Sequence, residues 1–410
     1  MRILIWALTM SIALAEDWPE FRGPGGQGFS PARGLPLEWS EKKNVQWKTP
    51  VPGRGWSSPV IADGVIWLTT STEVDGQPSA RSLRLLSFDE ATGKPARDLA
   101  IFELDNAGKQ HAKNSFASPT PILDSESGLI FVHFGVLGTA AVRISSGEVV
   151  WKTTLPAYEH VHGGGGSPVL WRDLLLVACD GVDTQYVAAL EKTTGKLRWR
   201  KERPRGNMAF ATPLLIEVNG KPQLIAPSAH RTIAYDPATG KELWKVEYGD
   251  GFSNVPRPVF AHGLVYLCTG FYKPQLLAVR PDGEGNVTAT HVAWRAERGV
   301  PLTPSPIVVG GEIYFVSDNG ILSCLDARTG ALNYQERLGS NFSASPTHAG
   351  GRLYWQAEEG ETIVMAPGRE FRKLASNAVD GLTYASLAVS GRAFYLRSST
   401  HLYRISGPGR

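Results

Sequence analysis

Apolar residues recur along the chain in short runs that are separated by turn-forming residues. Residues 167–202 show the pattern well: the runs SPVLW, LLLVACD, TQYVAALE and LRWRKE are separated by Arg172-Asp173, a loop at 181–184 and the turn KTTGK. Runs of this length bounded by Gly, Asp and charged residues are typical of β-strands, and no longer stretch keeps a helical periodicity. The pattern therefore predicts an all-β fold with few, short helices.

A Ser-Pro pair, or a relative of it, opens each group of four runs. The markers are Ser58, Ser118, Ser167, Thr212, Arg257, Ser305 and Ser345, each followed by proline, and a degraded copy at Ser386-Leu387. Most intervals are in the forties, which is the length of one four-stranded propeller blade. The last unit, 385–406, holds only three runs, and NVQWKTP at 44–50 supplies a fourth. We therefore expect an eight-bladed β-propeller whose last blade is closed by an N-terminal strand; seven blades plus an unpaired N-terminal strand is the alternative.

A second repeat lies between the third and fourth runs of several units. Its copies are FDEATGK at 88–94, LEKTTGKLRW at 190–199, DPATGKELW at 236–244 and LDARTGALNY at 325–334. Asp236 can accept hydrogen bonds from backbone amides two residues on, and Gly240 can adopt the positive φ that closes such a turn. Trp244 follows on the outermost strand, where a large ring can pack against the neighbouring blade. The motif is thus predicted to be an inter-blade joint and not an active site.

The first fifteen residues have the pattern of a secretory signal. Arg2 is the positive end, Ile3 to Ile12 is an apolar run too short to span a bilayer, and Ala13-Leu14-Ala15 is a small-x-small cleavage site. No cysteine follows, which disfavours a lipid anchor. We expect a signal peptide at 1–15, an extension at 16–38 and the propeller at 39–410, in a periplasmic or secreted protein without a transmembrane anchor. The net charge of +3 gives no indication of nucleic-acid binding.

Three cysteines, Cys179, Cys268 and Cys324, lie in separate apolar runs. Their odd number and wide spacing favour buried thiols over a disulfide framework or a metal site.

The repeated D-x-x-T-G-x-x-x-W motif resembles that of the pyrroloquinoline-quinone-like (PQQ-like) repeat propeller superfamily over residues 39–406. DWPEFRGP at 17–24 is similar to the start of exported members of that superfamily. The resemblance implies either a quinoprotein dehydrogenase, with the quinone held in the funnel by a tryptophan and two adjacent cysteines beside calcium, or a non-catalytic assembly protein. This chain has no adjacent cysteine pair. No cofactor is therefore predicted, and PQQ with calcium rests on the resemblance alone.

In such a propeller the loops that lead into the first strands, and those that join second to third strands, surround one mouth of the central funnel. An aromatic residue precedes a small-small pair in most of these loops, which indicates either an aromatic-lined funnel or aromatics packed beneath loops. EHVHGGGG at 159–166 and the set Arg257, His230 and Arg231 break the repeat, the latter as a candidate anion-attracting mouth. The ligand- or partner-binding candidates are Trp56, His160, His162, His230, Arg231, Asn254, Arg257, Tyr272 and Asp318.

No catalytic motif or metal-ligand spacing is present, so no catalytic or metal-binding residue is assigned. The sequence favours an exported, non-catalytic binding or scaffolding protein that engages a protein or small-molecule ligand at its funnel face. A PQQ-dependent or other oxidoreductase is the first alternative, and a hydrolase or lyase using funnel carboxylates or histidines is the second.

Overall fold

Eight antiparallel sheets form a β-propeller in the computed structural model, which describes residues 17–154 and 158–407. In each sheet the four main strands follow chain order from the axis outwards, except that one is completed by the N-terminal strand. The prediction of an eight-bladed, all-β propeller is confirmed. The predicted signal peptide at 1–15 lies outside the described residues.

The strands are numbered in chain order. Before blade one come β1 (Phe29–Ser30) and β2 (Val45–Pro50); blade one is β3 (Val60–Ala62), β4 (Val65–Val74), β5 (Gln77–Asp89) and β6 (Pro95–Leu104); blade two is β7 (Ile122–Asp124), β8 (Leu129–His133), β9 (Thr139–Arg143) and β10 (Val149–Thr153); blade three is β11 (Val169–Trp171), β12 (Leu174–Asp180), β13 (Gln185–Glu191) and β14 (Leu197–Glu202); blade four is β15 (Leu214–Val218), β16 (Lys221–Pro227), β17 (Arg231–Tyr235) and β18 (Glu242–Glu247).

The second half of the ring continues in the same order. Blade five is β19 (Val259–Ala261), β20 (Leu264–Cys268), β21 (Leu276–Val279) and β23 (Val292–Ala296), with β22 (Gly285–Asn286) in its last turn; blade six is β24 (Ile307–Val309), β25 (Glu312–Val316), β26 (Ile321–Asp326) and β27 (Leu332–Arg337); blade seven is β28 (Thr347–Ala349), β29 (Arg352–Gln356), β30 (Glu361–Met365) and β31 (Lys373–Ala378); blade eight begins with β32 (Ala388–Ser390), β33 (Ala393–Arg397) and β34 (His401–Ser406). Two single-turn 3₁₀ helices, Pro24–Gly26 and Gly135–Leu137, lie in loops. In the described part of the chain, no helix has the length and apolar character needed to cross a membrane.

Blade eight is completed from the other end of the chain, as expected. Strand β2 pairs antiparallel with β34, with Trp47 opposite Arg404 and Pro50 opposite His401. The pairing covers what would otherwise be an open sheet edge and ties the two ends of the chain into one sheet.

Tryptophans on outer strands join neighbouring blades, which confirms the interpretation of the D-x-x-T-G motif. The Trp151 indole of blade two donates from Nε1 to the Lys192 carbonyl of blade three at 2.9 Å. Its ring lies against Gly195, where a Cβ atom would come within 2.5 Å of the ring. The same contact joins Trp47 to Gly93, Trp199 to Gly240 and Trp294 to Gly330.

The acidic residue of the motif shapes the turn on which the indole rests. Asp236 Oδ1 accepts hydrogen bonds from the backbone N–H groups of Ala238 and Thr239, at 2.8 and 3.1 Å. The turn glycines have φ near +70°. A glycine is needed there for two reasons, the left-handed backbone and the lack of room for a Cβ atom beneath the ring.

Blade five lacks the short turn, and a different contact replaces the joint. Strand β22, in its long turn, adds in parallel to the outer edge of blade four, with Gly285 opposite Trp244. Trp244 is fully buried, and its Nε1 donates to Gln223 Oε1 at 2.8 Å. The longer loop of blade five thus covers Trp244, in place of the T-G turn against which other outer-strand tryptophans pack.

A ring of buried hydroxyl groups surrounds the axis at the start of the first strands. We call it the hydroxyl ring: Ser58, Thr120, Ser167, Thr212, Ser305, Ser345 and Ser386. Each hydroxyl oxygen accepts a backbone N–H from the preceding blade, as Thr212 Oγ1 does from Ser167 N at 2.9 Å and Ser58 Oγ from Ser386 N at 3.1 Å. Blade two contributes Thr120, two residues after the Ser118 that marks this blade in the sequence. Arg257 occupies the eighth place.

Residues 17–30, which we call the plug segment, cross the axis at the end away from the funnel loops. Trp18 pairs with Ile61 of blade one, and the Gly28 carbonyl accepts the His348 N–H of blade seven at 2.7 Å. Between these points Arg257 Nη1 donates to the Phe21 carbonyl at 2.6 Å. The axial opening is thereby covered on one side.

Cys179, Cys268 and Cys324 are free and buried, as predicted. Burial raises the pKa of the Cys179 thiol to about 12. A thiol with so high a pKa is a poor nucleophile at neutral pH.

The inter-blade joint can be tested at Gly195. Gly195→Ala is expected to lower the free energy of unfolding by about 3 kcal/mol, because strain at positive φ and overpacking against Trp151 add together. The control is Gly64→Ala, where φ is also positive but no atom lies within 4 Å of the added Cβ; about 1 kcal/mol is expected there. Urea denaturation measures both, and equal losses in the two variants would contradict the joint.

Candidate functional site: the axial funnel

A cavity of about 600 Å³ occupies the axis and opens on the face of the loops that lead into the first strands. Its floor is the hydroxyl ring together with the Phe21 side chain of the plug segment. Its walls are aromatic or histidine side chains from several blades, namely Trp56, His111, His162, Phe210, Phe252, Phe271 and Tyr384. The funnel is therefore closed at one end and wide enough for a drug-sized ligand.

Trp56 and Tyr384 form one wall across the junction of blades eight and one. Their ring centroids are 4.7 Å apart. The Trp56 Nε1 donates to the Lys113 carbonyl at 3.0 Å, and the Arg54 guanidinium lies over the indole at 5.3 Å. The indole is thus held in place by contacts on three sides, with part of its surface facing the cavity.

Histidines from two loops form a further part of the wall. The rings of His162 and His111 meet edge to face with centroids 5.6 Å apart, and His162 also contacts Phe252 at 6.0 Å. His160 points away from the cavity and packs against Phe210 at 4.8 Å, while its Nδ1 accepts the His162 backbone N–H at 3.1 Å. The two residues of EHVHGGGG thus have separate roles, one in the wall and one behind it.

Burial keeps His160 and His162 neutral near pH 7. It lowers the pKa of His160 to about 4, with a further contribution from the nearby His162. Burial and the charge of His111 also lower the pKa of His162. In the part of the chain that the structure describes, no group of three or more His, Cys, Asp or Glu side chains could hold a metal ion.

An ion pair that sequence reasoning missed lies at the rim. Lys113 Nζ is 2.8 Å from Glu358 Oε1, and Ser343 Oγ donates to the same oxygen at 2.5 Å. Burial acts to lower the pKa of Lys113, but the hydrogen bond and charge of Glu358 outweigh it and raise the pKa. The one sequence signal was the acid-rich stretch QAEEGE at 356–361. Lys113, the partner of Glu358 in that stretch, lies 245 residues away along the chain.

Asp318 joins the cavity to a second depression. Its Oδ2 accepts the backbone N–H groups of Leu302 and Thr303 at 2.7 and 3.2 Å. Asp318 and Leu302 line both the axial cavity and a groove of about 420 Å³ between blades five and six, whose outer walls include Pro274 and Glu297. The two depressions therefore adjoin at Leu302 and Asp318.

Six of the nine candidates from the sequence, His160 among them, lie outside the cavity lining, and Arg257 is the clearest case. Its side chain is buried and turns towards the plug segment, with Nη2 2.9 Å from Glu20 Oε2 and Nε donating to the Pro213 carbonyl at 3.1 Å. His230 contacts Asn207 at 3.3 Å, and Arg231 begins strand β17. Arg257, His230 and Arg231 therefore do not converge into one mouth, because the side chain of Arg257 points to the other end of the axis.

Asn254 and Tyr272 support the wall from outside. Asn254 is fully buried, and its Nδ2 donates to the Cys268 carbonyl at 2.8 Å. Tyr272 is 64% exposed at the rim, with a positive φ of 79° and its ring 5.7 Å from Phe252. The candidates that line the cavity are Trp56, His162 and Asp318.

The family model described as outer membrane protein assembly factor BamB matches residues 29–181, 140–292 and 283–381 of this chain. The chain belongs to this family. The overlapping matches reflect the blade repeat, and they agree with the PQQ-like repeat propeller recognised from the D-x-x-T-G motif.

Curated relatives match parts of the chain. The BamB of Moranella endobia is 25% identical over 60% of this chain and 60% of its own length, and that of Alteromonas naphthalenivorans is 28% identical over 49% and 51%. Tetrathionate hydrolase of Acidithiobacillus ferrooxidans is 26% identical over 42% of this chain and 36% of its own. The chain thus spans between about a third and three fifths of the length of these relatives.

Solved structures share the fold at low identity. The quinohemoprotein alcohol dehydrogenase of Comamonas testosteroni superposes with a TM-score of 0.69 at 11% identity, covering 96% of this chain and 81% of that one. BamB of Moraxella catarrhalis gives a TM-score of 0.62 at 12% identity, covering 88% and 99%. The same ring of blades therefore occurs in dehydrogenases and in an assembly factor.

The funnel lining does not fit a quinone and calcium as the quinoprotein resemblance implies them. The three cysteines are separate and buried in strands, so they cannot form a disulfide ring beside a flat ligand. Asp318 is the one carboxylate in the lining, and its Oδ2 already accepts two backbone N–H groups. No chemical step through either group follows from these residues.

The buried state of His160 predicts a pH dependence of stability. Its folded pKa of about 4 lies below the ordinary 6.5, so the unfolded chain binds the proton more readily and stability falls as the pH drops from 6.5 towards 4. In His160→Gln this titrating group is absent, so the free energy of unfolding is expected to fall by on the order of 2 kcal/mol less over this pH range than in the wild type. Urea midpoints measured across this range test it, with His262→Gln, at an exposed ring outside the funnel, as control. Parallel pH curves for wild type and His160→Gln would contradict the prediction.

Proposed function

We propose that this protein is an exported scaffold that holds a segment of a partner polypeptide in its funnel. The observation that carries the proposal is the cavity itself: it is closed at one end, lined by rigid aromatic side chains and rimmed by charged groups that are already paired. Aromatic side chains in desolvated pockets dominate the binding energy of protein interfaces.

Family membership supports a binding role. The relatives whose length the chain covers best are named for assembly of outer membrane proteins, and the secretory pattern of residues 1–15 agrees with an exported location. The cavity lining supports the same role, because burial lowers the pKa of His162 and Asp318, the one carboxylate among the described lining residues, is already hydrogen bonded.

The shape of the site favours an extended segment over a compact ligand. The cavity and the groove between blades five and six share Leu302 and Asp318 in their walls. Phe271 and Tyr272, both exposed, stand beside this path. A polypeptide in extended conformation can place one apolar side chain at the axis and continue outwards along the groove.

Trp56 provides the direct test. Peptides selected from a displayed random library on the wild-type protein are expected to bind Trp56→Ala at least about ten-fold more weakly, because the indole supplies a large, fixed contact surface. Fluorescence anisotropy with the selected peptides measures the dissociation constants. Phe29→Ala removes an exposed aromatic outside the cavity, on strand β1, and is the matched control.

Two results would overturn the proposal. One is selected peptides that bind Trp56→Ala and Phe29→Ala equally well. The other is reduction of a redox dye by purified protein supplied with quinone, calcium and an alcohol, since this would make the funnel the site of an oxidoreductase.

A further inference from the structure

The floor of the funnel holds hydroxyl groups whose protons have no acceptor among the described residues. Each oxygen of the hydroxyl ring is occupied by a backbone N–H from the preceding blade, at 2.9 to 3.1 Å. Ser345 donates its own proton to Ser305 at 3.0 Å. Across residues 17–154 and 158–407, no acceptor receives the protons of the others, which are Ser58, Thr120, Ser167, Thr212, Ser305 and Ser386.

These six donors are buried and converge on one space. Each residue is at most 5% exposed, and each lines the axial cavity. A buried O–H without an acceptor costs free energy, so the floor favours a ligand that offers several lone pairs and no competing donors.

The charge beneath the floor is positive, which is the sign that attracts an anionic ligand. Arg22 and Arg257 both lie buried on the axis, and Glu20 is the carboxylate paired with Arg257. Arg22 donates from Nη2 to the Pro306 carbonyl at 2.8 Å, but its Nε and Nη1 have no hydrogen-bond partner. In the described part of the chain Arg22 has no ion-pair partner, so its positive charge is uncompensated; a buried charge is weakly screened and attracts an anion.

Arg22 keeps this charge at neutral pH. Burial and the adjacent Arg257 lower the pKa of its guanidinium, but only to about 9. The plug segment thus supplies the Phe21 side chain to the floor and the positive charge behind it.

We propose that the funnel floor receives the carboxyl-terminal carboxylate of the partner polypeptide. A carboxylate only accepts hydrogen bonds and is a strong acceptor, so it suits a ring of free donors better than a carboxamide or an amine, which bring donors of their own. The aromatic walls above would contact the last side chains of the same polypeptide. This inference rests on the proposed function, and it defines which end of the partner enters.

Other charges in the lining do not oppose a carboxylate. Lys113 is neutralised by Glu358 at the rim, and Asp318 stands in the side wall with Oδ2 hydrogen bonded to the backbone. The His162 ring is neutral near pH 7 because burial lowers its pKa. The positive charge of Arg22, on the plug segment, lies on the floor side of the funnel, whereas the carboxylate of Asp318 lies in the side wall.

The test compares a peptide acid with its amide. The probes are fluorescein-Gly-Ser-Gly-Phe-Phe with a free carboxylate and the same peptide ending in a carboxamide, titrated with the full-length protein. The acid is expected to bind about ten-fold or more tightly than the amide, because hydrogen bonds to a charged acceptor are worth more than those to a neutral one. In a Ser167→Ala/Ser386→Ala double variant the ratio of the two affinities should fall towards one.

Ser87→Ala is the matched control, since Ser87 is a buried serine of blade one with an unpaired hydroxyl outside the cavity. It should leave the acid-to-amide ratio unchanged. Removal of ring hydroxyls also loosens the blade junctions, so the ratio and not the absolute affinity is the readout; a general loss of folding would weaken both probes alike.

The possible results separate this inference from the proposed function. Equal binding of acid and amide by the wild-type protein would leave the funnel as a peptide site but overturn the carboxylate receptor. Binding of neither probe would overturn both. Displacement of the acid by 3-phenylpropionate at equal affinity would show that a small aromatic carboxylate suffices and would contradict a polypeptide partner.

Discussion

The contact on which the rest of the structure depends is the one between neighbouring blades. A twisted four-stranded sheet buries its two faces only when another sheet lies against each, so the ring is stable only if every junction is closed. On the outside, an indole such as Trp151 lies on the glycine of the next turn, and on the inside a hydroxyl accepts the backbone N–H of the preceding blade. Strand β2 closes the last junction by joining both ends of the chain in blade eight.

The funnel is a consequence of how these junctions meet the axis. Serine and threonine side chains at the start of the first strands are small enough for the strands of eight blades to converge on the axis. Their oxygens accept backbone N–H groups, and most of their O–H groups remain free to donate to another acceptor. The plug segment then covers the other end of the axis. Arg257 replaces the repeated serine and holds the Phe21 carbonyl and Glu20, so the position that breaks the ring is the one that anchors the plug.

Asymmetric loops give the funnel of a symmetrical scaffold walls that differ from blade to blade. The long connection between blades one and two carries His111 and Lys113 to the funnel wall, and blade seven supplies Glu358 as the partner of the lysine. Burial then keeps His162 neutral near pH 7, while the floor remains rich in donors. The chain thus differs from a dehydrogenase-type funnel in its side chains and not in its backbone ring.

The sequence by itself determined the number of blades, the closing strand and the role of the T-G turns, because these features depend on spacing and on local backbone geometry. It also identified Trp56, His162 and Asp318 as residues near the funnel, since the loops that carry them adjoin recognisable strands of the repeat. Only the tertiary structure decided that Arg257 turns away from the mouth and that Lys113 meets Glu358. Such contacts form between side chains hundreds of residues apart, and their partners are set by the closure of the ring, which no local pattern encodes.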